Sequence, residues 1–188
     1  MGIIEYYQKP VLSMISMEQV IIVNEDDNEI EVLEKIEAHV SGKLHRAFSL
    51  FVFNSNGKLL IHKRADDKYH SGGLWTNTCC GHQRPDESLE MSIHRRLKEE
   101  MGFDCELKKL FTIQYQAEMN NSIIENEIDH VFSGIHDQDP SPDPLEVSDY
   151  SWVDPKDLII ETRDNPEKYS HWFKLLLERV INNYYNYL

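Results

Sequence analysis

Cysteine is scarce in this sequence, which contains three cysteines in 188 residues. They are Cys79, Cys80 and Cys105, so at least one thiol has no partner within the chain, and neighbours in sequence rarely bridge each other. A protein that does not depend on disulfides suits a reducing compartment. We therefore expect a cytoplasmic protein.

Positive charge is scarce as well, with 19 lysines and arginines against 33 aspartates and glutamates. The net charge of -14 disfavours nucleic acid and anionic membrane surfaces as partners, because both are negative themselves. Long apolar runs are absent, since the strongly apolar residues 50–53 have only the length of a strand. We expect no nucleic acid and no membrane as partner, and an anionic small molecule requires a local basic pocket.

The length suits one well-buried core and is short for two. The first 18 residues lack the basic start and long apolar stretch of a secretory signal. We predict an N-terminal extension over residues 1–18 and a single domain over residues 19–188 that includes a C-terminal helix. The sequence leaves the oligomeric state open.

Turn residues and periodicity predict strands before and after a central helix. Asp86 is the predicted N-cap of this helix, which runs to Met101 and ends at Gly102 in a left-handed turn. Strands around a central helix favour a mixed β-sheet between helices, of class α/β or α+β. The other predicted elements are strands over 20–23, 46–54, 58–63, 75–80, 103–117, 123–135 and 150–153, helices over 31–40 and 166–187, and a loop over 137–144.

Two short segments carry most of the chemical information. Side chains alternate between the two faces of an extended strand, so Cys80 and His82 point the same way, as do Glu125 and Glu127. A thiol, an imidazole and two carboxylates on one side of a sheet could bind a metal ion and move protons. These residues therefore favour proton-transfer chemistry over simple binding.

The central helix carries a glutamate on its apolar side. At 100° per residue, Glu100 falls within the apolar stripe that includes Leu97, and Arg96 lies at the edge of the stripe. A buried carboxylate needs a cationic partner. One interpretation is a structural ion pair between Arg96 and Glu100, and the other is that Glu100 holds a divalent cation while Arg96 binds phosphate.

This helix and the turn before it resemble the Nudix box, a loop, helix and loop that begins with a glycine and continues into an arginine and glutamate run. One position departs from that pattern, because Arg96 stands where the box has a metal-binding glutamate. A cation there repels metal and attracts phosphate, so the box resembles one that holds a diphosphate without cleaving it. The matching residues are Gly81, Glu87, Arg95, Leu97, Glu99, Glu100, Gly102 and Phe103.

Together with the Thr-Asn-x-x-Cys-Gly-His segment over residues 76–82 and the Glu-Asn-Glu segment over residues 125–127, the altered box resembles the type I isopentenyl-diphosphate isomerases, which have the Nudix fold. The resemblance covers roughly residues 18–175. It implies reversible conversion of isopentenyl diphosphate into dimethylallyl diphosphate for isoprenoid biosynthesis. The family adds a proton at one end of the alkene and removes another from the opposite side, through a tertiary carbocation-like state.

The resemblance also implies roles for individual residues. It implies Mg²⁺ on the diphosphate, with Glu100 as ligand, and a second divalent metal, Zn²⁺, Mn²⁺ or Mg²⁺, at a histidine and glutamate site. Its catalytic residues correspond to Cys80, Glu127, Tyr115 and Trp172, its diphosphate contacts to Lys35, Arg64, Lys68 and Arg96, and its metal ligands to His39, His45, His82, Glu125 and Glu127.

Two other functions are consistent with parts of the sequence. A Nudix hydrolase of a nucleoside diphosphate derivative would use Glu87, Glu99 and Glu100, but it leaves Cys80 without a purpose. A metal-binding or phosphate-binding module without activity would make the histidines and glutamates purely structural. The remaining histidines are interpreted as residues without a role in the site; they are His62, His70, His94, His130, His136 and His171.

Overall fold

The computed structural model describes residues 18–119 and 123–186. Most of the predicted extension over residues 1–18 lies outside the described residues, as do residues 120–122 between the predicted strands over 103–117 and 123–135. The strands are β1 (Gln19–Val23), β2 (Glu29–Glu34), β3 (His45–Phe53), β4 (Leu59–Arg64), β5 (Trp75–Thr76), β6 (Cys79–His82), β7 (Leu107–Glu118), β8 (Ile124–Ile135) and β9 (Val147–Val153). The helices are α1 (Lys35–Ser41), α2 (Leu89–Met101), α3 (Pro155–Asp164) and α4 (His171–Asn186), with a 3₁₀ turn at Pro166–Lys168 before α4.

Strand β3 lies at the centre of a mixed sheet. It pairs in parallel with β8 along its whole length and antiparallel with β6 on its other side. At its two ends it also meets β1 and β4, and β4 continues the sheet to β5 and β9. Strand β7 runs antiparallel beside β8. The parallel pair requires a long connection, and helix α2 is part of that connection.

The side chains of β3 alternate between two hydrophobic cores. Phe51 and Phe53 face a core that includes Phe173 of α4, and Phe48 faces a second core with Leu97 of α2. All five are at most 1% exposed, so the sheet is covered on both faces. This confirms the predicted class, a mixed β-sheet between α-helices.

Most predicted strands are confirmed within a few residues, but the predicted helix over 31–40 is wrong in its first half. Residues Glu29–Glu34 form β2, which pairs antiparallel with β1, and the helix begins only at Lys35. Ile30 and Val32 remain exposed on this edge strand, so burial contributed little to its pattern. Pairing with the neighbouring β1 therefore outweighs the local preference for a helix.

The ends of three other helices show what local signals can and cannot indicate. Gly102 ends α2 with φ of 75°, as predicted, but the N-cap is Ser88 and not Asp86. Helix α3 was not predicted, although Asp154 caps it and Pro155 occupies its first turn. Helix α4 begins at His171, later than the start of the predicted helix over 166–187. No helix in the described part of the chain is long and apolar enough to cross a membrane.

Candidate active site

A small residue at the centre of the sheet allows the functional side chains to meet. Ala47 of β3 lies opposite His82 on β6 and opposite Asp129 on β8. Because the Ala47 side chain is only a methyl group, His82 reaches across β3, and its Nε2 lies 3.0 Å from Oε1 of Glu127. The alternation predicted for β6 and β8 is thus confirmed, and both strands direct polar side chains toward one region.

Five residues from four elements converge there. Helix α1 supplies His39, β3 supplies His45, β6 supplies His82, and β8 supplies Glu125 and Glu127. One ligand atom from each lies within 4.8 Å of all the others, and every one of these residues is buried. They are the five residues that the family resemblance implies as ligands of the histidine and glutamate metal site.

The donor atoms of this cluster fit a divalent metal ion. Nε2 of His39, Nε2 of His45 and Oε2 of Glu125 are buried and make no hydrogen bond of good geometry, although the His39 and Glu125 atoms lie 3.3 Å apart. Buried polar atoms without partners are costly, and a metal ion would satisfy them together. Three imidazole nitrogens and two carboxylates form a set that Zn²⁺, Mn²⁺ and related ions accept.

The protonation of the cluster depends on what each group faces. Burial lowers the pKa of His82 well below its usual value, and the neighbouring Lys35 and His45 lower it further. The pKa of His39 is raised, because its contact with Glu125 outweighs burial. Burial also acts against ionisation of Glu127, but His45 and Tyr115 keep the pKa of that carboxyl below its usual value.

A pocket of about 120 Å³ adjoins the cluster. The Tyr115 hydroxyl donates a hydrogen bond of 2.5 Å to Oε2 of Glu127 at its wall. Trp172 is 4% exposed and donates from Nε1 to Oδ1 of Asn77 at 3.1 Å, which fixes the indole. The residues that line the pocket include every residue predicted as catalytic or as a diphosphate contact: Cys80, Glu127, Tyr115, Trp172, Lys35, Arg64, Lys68 and Arg96.

Cys80 enters the pocket as a neutral thiol. Burial raises the pKa of Cys80 to about 12, although Arg64 acts to lower it. The next cysteine, Cys79, points to the opposite face of β6 and is fully buried in the core beside α2. The two adjacent cysteines therefore differ in environment, and only Cys80 reaches the pocket.

The two lysines that line the pocket are each paired with a carboxylate from another segment of the chain. Nζ of Lys35 lies 3.0 Å from Glu18, and Nζ of Lys68 lies 2.5 Å from Glu146. Lys35 lowers the pKa of Glu18 to about 2, against the opposing effect of burial. Neither Glu18 nor Glu146 was predicted as a site residue, because nothing in the local sequence indicates which cation each will meet.

Arg96 and Arg64 have different surroundings. Arg96 pairs with Glu100 in the same helix and lies 3.3 Å from Glu146. Gly81 makes room for it, because a Cβ there would lie 3.3 Å from the Arg96 side chain. Nε of Arg64 is buried and without a hydrogen-bond partner. Among the cations lining the pocket, Arg64 is the one for which the described residues supply no carboxylate partner.

The structure places one residue in the pocket that was interpreted as having no role. His70 is 7% exposed, and its Nε2 lies 3.1 Å from Oε1 of Glu125. Burial lowers its pKa to about 4, against the effect of Glu125. The sequence offered only one indirect signal, the position of His70 two residues after the predicted diphosphate contact Lys68.

The other carboxylates of the Nudix box are engaged elsewhere. Arg95 lies 2.5 Å from Oε1 of Glu87 and 2.9 Å from Oε2 of Glu99. Oε2 of Glu100, in contrast, is buried without a partner. Within residues 18–119 and 123–186, the five-residue cluster is the only group of histidine, cysteine and acidic side chains arranged to hold a metal.

Comparisons with known proteins identify the class to which this fold and site belong. The NUDIX domain model matches residues 43–175, so the protein has a Nudix domain. A crystal structure of DR0079 from Deinococcus radiodurans superimposes with a TM-score of 0.73 at 19% identity, covering 86% of this chain and 98% of that chain. The MutT protein from Methanosarcina mazei Go1 gives a TM-score of 0.60 at 22% identity, covering 72% of this chain and 91% of that chain. At these identities, the likeness shows the fold alone.

Curated relatives specify the family within that class. "Isopentenyl-diphosphate Delta-isomerase 2" from Aromatoleum aromaticum is 50% identical over 165 residues, covering 88% of this chain and 87% of the relative. "Isopentenyl-diphosphate Delta-isomerase" from Burkholderia multivorans is 48% identical over 163 residues, covering 87% and 93%. The chain belongs to the isopentenyl-diphosphate Delta-isomerase family.

Proposed function

We propose that this protein interconverts isopentenyl diphosphate and dimethylallyl diphosphate by a metal-dependent 1,3-allylic rearrangement, as a step of isoprenoid biosynthesis. The observation that carries the proposal is the joint presence of Cys80, Glu127 and four cations around one pocket. The family relatives bear the name of this reaction. The substrate is a small-molecule diphosphate.

The diphosphate end of the substrate binds to the cations. Arg64 supplies an unpartnered, buried donor, and Lys35, Lys68 and Arg96 add charge on the same side of the pocket. Mg²⁺ would accompany the diphosphate, and Oε2 of Glu100, which is buried without a hydrogen-bond partner, would serve as its protein ligand. This local positive charge is what an anionic substrate requires in a protein with a net charge of -14.

The alkene lies between Cys80 and Glu127. In the metal-free protein the thiol is neutral and the carboxyl has a lowered pKa, so one group holds a proton and the other can accept one. One group donates a proton to an alkene carbon, which leaves a tertiary cation, and the other removes a proton on the opposite side. The double bond moves by one position, and the roles reverse in the back reaction.

The metal site orients the carboxylate that takes part in proton transfer. His39, His45, His82, Glu125 and Glu127 would hold Zn²⁺, Mn²⁺ or Mg²⁺, and the bound ion supplies positive charge that favours the ionised form of Glu127. The Tyr115 hydroxyl holds the second oxygen of Glu127 in place. Glu127 therefore presents its carboxylate in one fixed orientation.

Trp172 forms an aromatic wall of the pocket, which shields and stabilises the carbocation. Trp172 is almost fully buried and lines the pocket, and the face of an indole ring attracts positive charge. Water would trap a carbocation, so a closed and apolar environment at the reacting end is required. Binding of the distant diphosphate fixes which carbon faces which proton-transfer group.

The experiment that tests the proposal compares two reactions in one sample. Purified, metal-loaded protein is incubated with isopentenyl diphosphate, and both dimethylallyl diphosphate and released phosphate are measured. We expect dimethylallyl diphosphate and no phosphate. Phosphate release without isomerisation would favour the hydrolase, and tight metal binding without either product would favour a module that lacks activity.

A further inference from the structure

His70 contacts the metal cluster from outside the predicted ligand set. It lies in the loop between β4 and β5, and its Nε2 is 3.1 Å from Oε1 of Glu125. The other oxygen of Glu125, Oε2, is 3.3 Å from Nε2 of His39. Glu125 thus directs one oxygen toward the cluster and the other toward His70. Such a division suits a carboxylate that binds a metal through one oxygen.

The tautomer of His70 follows from its two neighbours. A carboxylate only accepts hydrogen bonds, so Nε2 must carry the hydrogen to interact favourably with Glu125. Nδ1 of a neutral His70 ring is then an acceptor, and it lies 3.2 Å from the hydroxyl of Ser71, which can donate. Ser71 therefore favours the tautomer with the hydrogen on Nε2, the ring atom that lies 3.1 Å from Oε1 of Glu125.

The backbone of the loop is constrained at the two positions that follow His70. Ser71 has a φ of 52°, which is unfavourable for a residue with a side chain. The next residue, Gly72, approaches Asp66 so closely that a Cβ would lie 2.5 Å from the Asp66 carbonyl oxygen. A strained residue and a glycine imposed by close packing together limit the conformations open to this part of the loop. In the observed conformation the His70 ring lies beside both Glu125 and Trp172.

The ring of His70 also contacts two aromatic side chains. Its centroid is 5.9 Å from the ring of Trp172, with the planes 79° apart, and 4.4 Å from the ring of Tyr69 at 85°. We propose that His70 is a positioning residue, which holds one oxygen of Glu125 so that the other faces the metal, and which braces Trp172 beside the substrate. The inference rests on the proposed function, because it assigns His70 a part in the same site.

A matched pair of variants tests the contact with Glu125. In His70→Gln the side-chain nitrogen can reach the position of Nε2, whereas in His70→Asn it is too short to do so. Metal-free wild type and variants are titrated with Mn²⁺, and free Mn²⁺ is followed by electron paramagnetic resonance. We expect Asn to weaken Mn²⁺ binding by about 10- to 100-fold, the range typical of lost outer contacts, and Gln to bind nearly as tightly as wild type.

Two further variants complete the design. His70→Phe keeps a ring against Trp172 but has no donor, so we expect Mn²⁺ binding as weak as in the Asn variant. His94→Gln is the control, since His94 lies on α2 and pairs with Asp104. Thermal unfolding of each metal-free variant shows that it folds. If one of the two donor-free variants does not fold, the other is compared with the Gln variant.

Turnover supplies a second measurement. With Mn²⁺ at saturating concentration, we expect the Asn variant to lower kcat for isopentenyl diphosphate more than it changes KM. Wild-type Mn²⁺ affinity in both the Asn and Phe variants would overturn the proposal, as would equal weakening in the Gln and Asn variants. The titration requires no turnover, so it is decisive for His70 even if wild-type protein forms no dimethylallyl diphosphate, a result that would contradict the proposed function instead.

Discussion

The pKa values of the two proposed proton-transfer residues are shifted in opposite directions. Burial favours the neutral form of both residues, and for Cys80 it raises the pKa to about 12. For Glu127, the contacts with His45 and Tyr115 outweigh burial, so its pKa falls below the usual value. At neutral pH the pocket therefore contains a protonated thiol beside an ionised carboxyl, which is the combination that a proton-transfer reaction needs.

The raised pKa of Cys80 predicts slow alkylation at neutral pH. Only the thiolate reacts with iodoacetamide, so in metal-free protein the rate at Cys80 should keep rising well above pH 9, whereas a free cysteine titrates near pH 8.5. Tandem mass spectrometry separates modification at Cys80 from modification at Cys79. The denatured protein is the control, and a native rate that levels off near pH 8.5 would contradict the prediction.

Which site residues are predictable depends on how local their signal is. Cys80 and His82 share a face because alternation within one strand dictates it, and the same holds for Glu125 and Glu127. His70 had no such signal, since its place beside Glu125 depends on a loop path. The ion-pair partner of Lys35 was equally unpredictable, because Glu18 lies before β1 and is distant in sequence from the helix that carries Lys35.

At the scale of elements, the start of α2 provides a direct test of helix capping. The Ser88 hydroxyl accepts from the backbone N–H of Met91 at 3.1 Å, whereas Asp86 is exposed and lies before the helix. Ser88→Ala should lower the free energy of unfolding by about 1 kcal/mol. Asp86→Ala should change it by less than about 0.5 kcal/mol, as is usual for surface positions. Urea denaturation measures both, and a larger effect at Asp86 would show that the cap is misplaced.

The sequence indicated which segments form strands better than it indicated which strands pair with each other. The apolar strand over residues 46–54 was visible from the sequence, but its parallel pairing with β8, which matches His45 with Glu127, was not. This pairing joins segments about 80 residues apart, and no local pattern encodes such a contact. It nevertheless forms the site, because it brings a histidine next to a glutamate.

At the scale of the whole molecule, the buried histidines predict sensitivity to acid. Burial lowers the pKa of His62, of His70 to about 4, and of His82 well below the usual value. In the unfolded chain these groups bind protons near pH 6.5, but the folded protein resists protonation. The unfolded state thus binds more protons as pH falls, so stability is retained above pH 6.5 and lost toward pH 4.

The test of this prediction is chemical denaturation of metal-free protein at pH 7.5 and pH 5. We expect a lower free energy of unfolding at pH 5, although His39 and the buried Asp129, whose pKa values are raised, oppose the trend. The slope of the denaturation curve should stay the same, which shows that the same transition is being compared. Equal stability at the two pH values would contradict the prediction.

The whole fold serves to bring Cys80 and Glu127, on different strands, to one pocket. The measurement that tests this most directly is incubation of metal-loaded wild type, Cys80→Ala and Glu127→Gln with isopentenyl diphosphate in heavy water, with Cys105→Ala as a control. Wild type and the control should form deuterated dimethylallyl diphosphate, and the other two variants should form none while retaining the wild-type fold. Wild-type turnover in both of those variants would contradict the account.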